Sequence, residues 1–239
     1  MRSPRALACV PSDASADERA ALVEAVLRAG TRAVTIVPEP LAAAVGAGLA
    51  VAEPRAQLLV DIGEGVTDCA VVRGGTLVAS EALRVALSDL RVAVTESIEA
   101  GEGVRVSAVE AERVLRAVGI GPFPAWQRKL AIVGSPLHGI GPVRAQISID
   151  ALHEAIEPVA DQIAACIGHF VSNLPEELEA EAREGGICLT GGGALLPGMV
   201  ERLVGETAFG VWRAPTPLRA VIDGAQAIVA RAVRVAAWH

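Results

Sequence analysis

The stretch Leu58–Val72 reads LLVDIGEGVTDCAVV, and its middle, Asp61-Ile62-Gly63-Glu64-Gly65-Val66-Thr67, holds residue types that could do chemistry. A turn carrying Gly63 and Gly65 exposes backbone N–H groups without side-chain cover, which suits an anion such as phosphate. Asp61 at the root of the turn could hold a hydrated Mg²⁺, because that ion prefers carboxylate ligands together with retained water. Thr67 adds a hydroxyl. The alternative for these residues is an ordinary glycine-rich hairpin with a surface aspartate.

Two further stretches have the same character. Pro38-Glu39-Pro40 leads into LAAAVGAG. Proline suits the first helical turn, so Glu39 lies at the positive helix end, where a carboxylate is stabilised. A glutamate there could orient water towards a phosphate, or simply open a helix with a small-residue packing face. Ile187-Cys188-Leu189-Thr190 runs into Gly191-Gly192-Gly193-Ala194-Leu195. An apolar strand feeding three glycines allows close backbone approach to a ligand, or makes a tight connector.

The elements that must position these residues read as α/β. Arg5–Val10 and Ala33–Val37 are predicted strands around a helix opened by Ser15 with Glu18 at capping-box spacing. Leu58–Ile62 and Val66–Val72 are predicted to pair antiparallel, with Gly63–Gly65 at the tip facing a cleft. A strand at Thr76–Ala82 and a helix near Asp89–Ile98 follow. Ser107 with Glu110 opens a helix to about Val118. Strands are expected at Ala131–Val133 and Val143–Ile149, then a long helix from about Asp150 to Asn173. After the strand Gly186–Thr190 come a helix from about Pro197 and a last helix ending near Trp238.

Composition agrees. The 239 residues are 52% hydrophobic but only 3% aromatic, so Ala, Val and Leu must do the packing, which suits α/β layers. The net charge of −7, with no basic stripe, argues against nucleic acid. Cys9, Cys69, Cys166 and Cys188 sit singly in apolar runs and read as buried, reduced thiols. No leader and no run approaching ~18 apolar residues is seen, so a cytoplasmic protein is expected. The final helix, with Arg231, Arg234 and Trp238, is a candidate membrane contact, a packed helix being the alternative.

The order EPLAAAVGAGL, then LLVDIGEGVTDCAVV, then ICLTGGGALLPGM resembles the actin-like ATPase superfamily, and within it the bacterial MreB cytoskeletal proteins. The opening RALACVPSDASADERAALVEAVLRAGTRAVTIVPEPLAAAVGAGL and the late TPLRAVIDGAQAI resemble that family too. The resemblance implies an actin-like, ribonuclease H-like fold with an incomplete domain I and a largely complete domain II. It implies a remnant of subdomain IA at 1–51 and 215–239, subdomain IIA at 52–92 and 148–214, and subdomain IIB at 93–147. It further implies an ATP-binding filament protein of cell-shape determination. Asp61 would hold Mg²⁺ through water and Glu39 would position the attacking water. Gly63, Glu64, Gly65, Val66 and Thr67 would grip phosphates. Glu112 and Arg113 would lie beside the nucleoside, and Gly191, Gly192, Gly193, Ala194 and Leu195 would form the adenosine loop.

The sequence also departs from the family. Its first phosphate hairpin, a DLGTANT-like motif, has no counterpart in these residues. Its DIGGGTTE is DIGEGVTD here. Its GGDRFD turn corresponds to Ala86-Leu87-Ser88-Asp89-Leu90-Arg91. Its ERIKxEIG segment corresponds to residues 112–119, with Leu115 and Ala117 at the polar positions. Impaired hydrolysis is therefore expected. The expected partners are further copies or a full-length relative in filaments, and morphogenesis proteins. The alternatives are a non-hydrolysing module that co-assembles with such a relative, or a fragment of a division-type actin homologue.

Overall fold

The computed structural model describes residues 4–122, 128–230 and 233–236. The chain opens with β1 (Arg5–Val10), α1 (Ala16–Arg28), β2 (Ala33–Pro38) and α2 (Glu39–Gly46). The capping box forms as its spacing predicts. The Ser15 hydroxyl accepts the Glu18 N–H at 3.2 Å, and the Glu18 carboxylate accepts the Ser15 N–H at 2.8 Å. β1 and β2 pair in parallel, as a helical crossover between them requires.

Next come β3 (Gln57–Ile62), β4 (Thr67–Arg73), β5 (Thr76–Leu83) and α3 (Leu87–Glu102). They are followed by β6 (Val104–Arg105), α4 (Ala108–Val118), β7 (Lys129–Pro136) and β8 (Val143–Ser148). The chain continues through α5 (Ile149–Ser172), α6 (Glu176–Gly185), β9 (Ile187–Thr190), α7 (Met199–Thr207), β10 (Val211–Arg213) and α8 (Ala220–Val229). Five strands form one sheet in the order β10-β9-β3-β4-β5, and β6-β7-β8 form a smaller one. β3 and β4 pair antiparallel and β3 and β9 pair in parallel, so β3 is central.

Both faces of that central strand are covered, so it reads as a nearly continuous apolar run. Alternation along β3 sends Leu58, Val60 and Ile62 into the main core. Leu59 faces the other way, into a second core shared with Leu41 and Ala43 of α2 and Ala220 of α8. Asp61 keeps the Leu59 parity and lies on that second face.

The last helix is shorter than expected. α8 ends at Val229, and Val233–Ala236 is not helical. The Ala236 N–H instead donates to the Gly75 carbonyl at 2.9 Å, which holds the chain against the β4–β5 turn. Arg231 and Trp238 lie outside the described residues. All four cysteines are free, with Cys69 and Cys188 buried but Cys9 and Cys166 only partly so.

Candidate functional site

Strand register builds the site. In β3, Asp61 sits directly opposite Asp68 of β4 and Thr190 of β9. These three side chains share the face that carries Leu59. Asp61, Asp68 and Thr190 are all buried. Glu39, the first residue of α2, adds a third carboxylate, close enough to Asp61 and Asp68 to feel both charges.

The electrostatics of the cluster are set by burial. Desolvation, then Asp61, then Asp68, push the Glu39 carboxyl up to about 7. The helix end does not offset this. Burial raises Asp61 to about 6 against the pull of the Thr190 hydroxyl. Among the described residues, Asp61 Oδ1 has no hydrogen-bond partner. A buried, unpaired carboxylate oxygen is costly unless it meets a cation or a donor. Asp68 is better served. Its Oδ1 accepts from the Ser12 N–H at 3.1 Å and from the Ser12 hydroxyl, although burial still raises its pKa.

Two glycine loops meet beside the cluster. Gly191 takes φ +77°, and a Cβ there would lie 2.2 Å from the Ile62 carbonyl oxygen and 2.5 Å from Asp61 Oδ1. At Gly193 a Cβ would strike the Ile62 side chain at 2.4 Å. The loop therefore lies on the root of the β3–β4 hairpin. At the tip, the Gly63 N–H bonds the Val66 carbonyl at 2.9 Å, and the space around Gly65 is open. Between these walls is a cavity of about 610 Å³, lined by Asp61, Gly63, Glu64, Gly191 and Gly192 on one side and by Arg91 and Glu112 on another.

Other candidate residues sit elsewhere. The Thr67 hydroxyl donates to the Val85 carbonyl at 2.9 Å, so it fastens the hairpin to the segment that links β5 to α3. Arg113 lies on the exposed surface of α4, bonded to Glu110 and to the Ala131 carbonyl at 2.6 Å. Val66 and Leu195 are partly buried, and Ala194 packs in the core. Sequence reasoning missed Arg91 as a site residue. The signal was an arginine closing a motif whose usual last residue is aspartate.

The comparisons match this architecture. The MreB/Mbl protein family model matches residues 1–236. The cell shape-determining protein MreB of Escherichia coli K12 is 33% identical over 223 residues. That match takes in 93% of this chain, but this chain spans only 64% of the relative's length. The crystal structure of MreB 5 of Spiroplasma citri bound to AMPPNP superimposes with a TM-score of 0.84 at 26% identity, covering 94% of this chain and 68% of that one. The MamK double helical filament shares the fold at a TM-score of 0.77 and 20% identity, over 96% of this chain and 69% of that one. On the family match across nearly its whole length and on these relatives, the chain belongs to the MreB/Mbl family of actin-like cell shape-determining proteins.

Proposed function

We propose that the cavity between the hairpin 61–67 and the loop 191–195 binds ATP with Mg²⁺, in a chain that assembles into filaments with copies of itself or with a longer relative. The observation that carries the reading is the orphaned Asp61 Oδ1, nearly enclosed at the root of two glycine loops. A hydrated Mg²⁺ would satisfy that oxygen, so the residues fit the group. Bound there, Mg²⁺ supplies positive charge against the phosphates. Backbone at Gly63, Gly65 and Gly191–Gly193 can approach a ligand that side chains would exclude. Glu39 is the candidate for holding a water, and its carboxyl near 7 leaves it partly protonated at neutral pH, a weak orienting group until a cation arrives. Division into subdomains IA, IIA and IIB at the bounds given above is part of the same proposal.

Hydrolysis by these residues alone is proposed to be slow. Leu115 is fully buried in the main core, so α4 cannot present a polar side chain from that position. Filament partnership rests on the fold shared with a filament-forming neighbour. Among the described residues no helix is long and apolar enough to cross a membrane.

The test is calorimetric titration of the 239-residue chain with ATP in the presence and absence of Mg²⁺, alongside phosphate release. Mg-dependent binding lost in Asp61→Asn, with little turnover, is the expected result. Equal binding by Asp61→Asn would remove the magnesium assignment. Turnover abolished by Glu39→Gln, at rates typical of actin-like ATPases, would show that hydrolysis is intact.

A further inference from the structure

We infer that Arg91 is an anion-binding residue of the cavity, and that the Glu64 carboxylate competes with a phosphate for its guanidinium. The inference rests on reading the cavity as a nucleotide site.

Arg91 lies one turn into α3 and lines the cavity with Glu64 and Glu112. Its guanidinium makes a two-pronged contact with Glu64, Nη1 lying 2.9 Å from Oε2 and Nη2 meeting Oε1. The same Nη1 reaches Glu112 Oε2 on α4 at 3.3 Å, and Arg116 Nε holds the other Glu112 oxygen at 2.6 Å. The two-pronged geometry that suits a carboxylate also suits a phosphate.

Exposure shows which partner can leave. The Arg91 side chain is 20% exposed, whereas that of Glu64 is 68% exposed. Arg91 is the anchored member, kept in place by Glu112, and Glu64 is a solvent-facing carboxylate resting on it. Removing Glu64 need not release the hairpin tip. The Ser88 N–H donates to the Glu64 carbonyl at 2.8 Å and the Leu87 N–H to the Gly63 carbonyl at 3.4 Å, so backbone bonds hold the tip to the start of α3.

Charge balance points the same way. The cavity wall carries Asp61, Glu64 and Glu112 against Arg91 and Arg116. Without Arg91, three carboxylates would face an anionic ligand with one cation left to oppose them. The two residues of the pair are also both departures from the family motifs quoted above. Glu64 replaces a glycine and Arg91 ends a turn that usually ends in aspartate. The two residues neutralise each other, and the pair places a guanidinium beside the hairpin 61–67.

The test is binding of Mg-ATP, inorganic tripolyphosphate and adenosine to wild type, Glu64→Gln, Arg91→Ala, Arg91→Lys and the double Glu64→Gln/Arg91→Ala chain, each checked for an unchanged circular-dichroism spectrum. Glu64→Gln frees the guanidinium and should tighten ATP and tripolyphosphate by about tenfold, the scale of one charged hydrogen bond. Arg91→Ala should weaken both by a similar factor, with adenosine changed less than about twofold. The lysine variant should recover only part of the loss, and the double variant should behave as Arg91→Ala. A Glu64→Gln chain that binds ATP no better than wild type overturns the inference while leaving the nucleotide reading intact. So does an Arg91→Ala chain that loses ATP and adenosine alike, since that is a structural defect. If neither wild type nor Glu64→Gln binds any nucleotide, the nucleotide reading fails and the inference falls with it.

Discussion

Gly191 lies against Asp61 so closely that a methyl group on its Cα would stand 2.5 Å from the Asp61 carboxylate oxygen. The same methyl would lie 2.2 Å from the Ile62 carbonyl, and its φ of +77° is strained for any L side chain. Neither obstacle can move cheaply, because both belong to the central strand. Gly191→Ala is expected to cost at least ~2 kcal/mol. Gly65→Ala at the open tip should leave stability unchanged. Thermal melts of the two variants decide this. A Gly191→Ala chain that melts with wild type would mean the loop is not pinned to the hairpin root.

Asp61 makes stability depend on pH. Its folded pKa, about 6 against an ordinary 3.8, is raised by burial. A raised acid pKa means the folded state is favoured below the ordinary value, and that advantage is lost as pH rises through 6. The difference is about 3 kcal/mol at most for a shift of this size. Asp61→Asn should therefore stabilise the ligand-free chain by roughly 2 kcal/mol at pH 8 and change little at pH 4. Urea midpoints at the two pH values measure it. Destabilisation at pH 8 would show that the charged carboxylate has a favourable partner in the chain.

How much of this was legible follows from what each signal encodes. The hairpin was legible because two short apolar runs rich in β-branched residues flank the turn residues Gly63 and Gly65, which is local chemistry. Ser15 with Glu18 predicted the start of α1, since a capping box is local chemistry. The acidic helix Glu176–Gly185 was not assigned, because its run of glutamates buries only Ala182 and leaves almost no apolar face. β6 and β10, of two and three residues, are too short for any periodicity. The Asp61–Asp68 pairing is a matter of register, and the role of Arg91 depends on a contact across 27 residues of sequence. Neither is written in a local pattern.

The small residues of α2 have a packing consequence. A Cβ on Gly46 would lie 1.9 Å from the Ala220 carbonyl, and one on Gly224 would lie 1.8 Å from the Ala42 carbonyl. α2 and α8 therefore cross backbone to backbone, and α2 carries Glu39 at its N-terminus. Gly224→Ala must push the helices apart, at a cost on the order of 3 kcal/mol, the upper end for overpacking. The displaced α2 should also lower the Glu39 pKa by admitting water. Carboxylate-resolved NMR titration, set beside a melting curve, would detect both. An unchanged melt would refute the close crossing.

Ser12 and Asp68 tie the β1–β2 unit to the large sheet. Ser12 follows β1, Asp68 sits near the start of β4, and both donors of Ser12 serve one buried carboxylate oxygen. Ser12→Ala deletes the hydroxyl and leaves only the backbone donor. Because burial raises the Asp68 pKa while Ser12 lowers it, losing the hydroxyl must raise it further. The sign follows from linkage. The pH-dependent part of the loss is absent where Asp68 is protonated in both states, and it grows as pH rises through the folded pKa. An under-served buried acceptor costs about 1–3 kcal/mol, and removing both partners costs less than removing one. Ser12→Ala should therefore be more destabilising at pH 8 than at pH 4, and adding Asp68→Ala should recover part of that loss. A double-mutant cycle of urea midpoints at both pH values tests it. Strict additivity, or a Ser12→Ala cost that does not change with pH, would mean that the hydroxyl and the carboxylate are not energetically coupled.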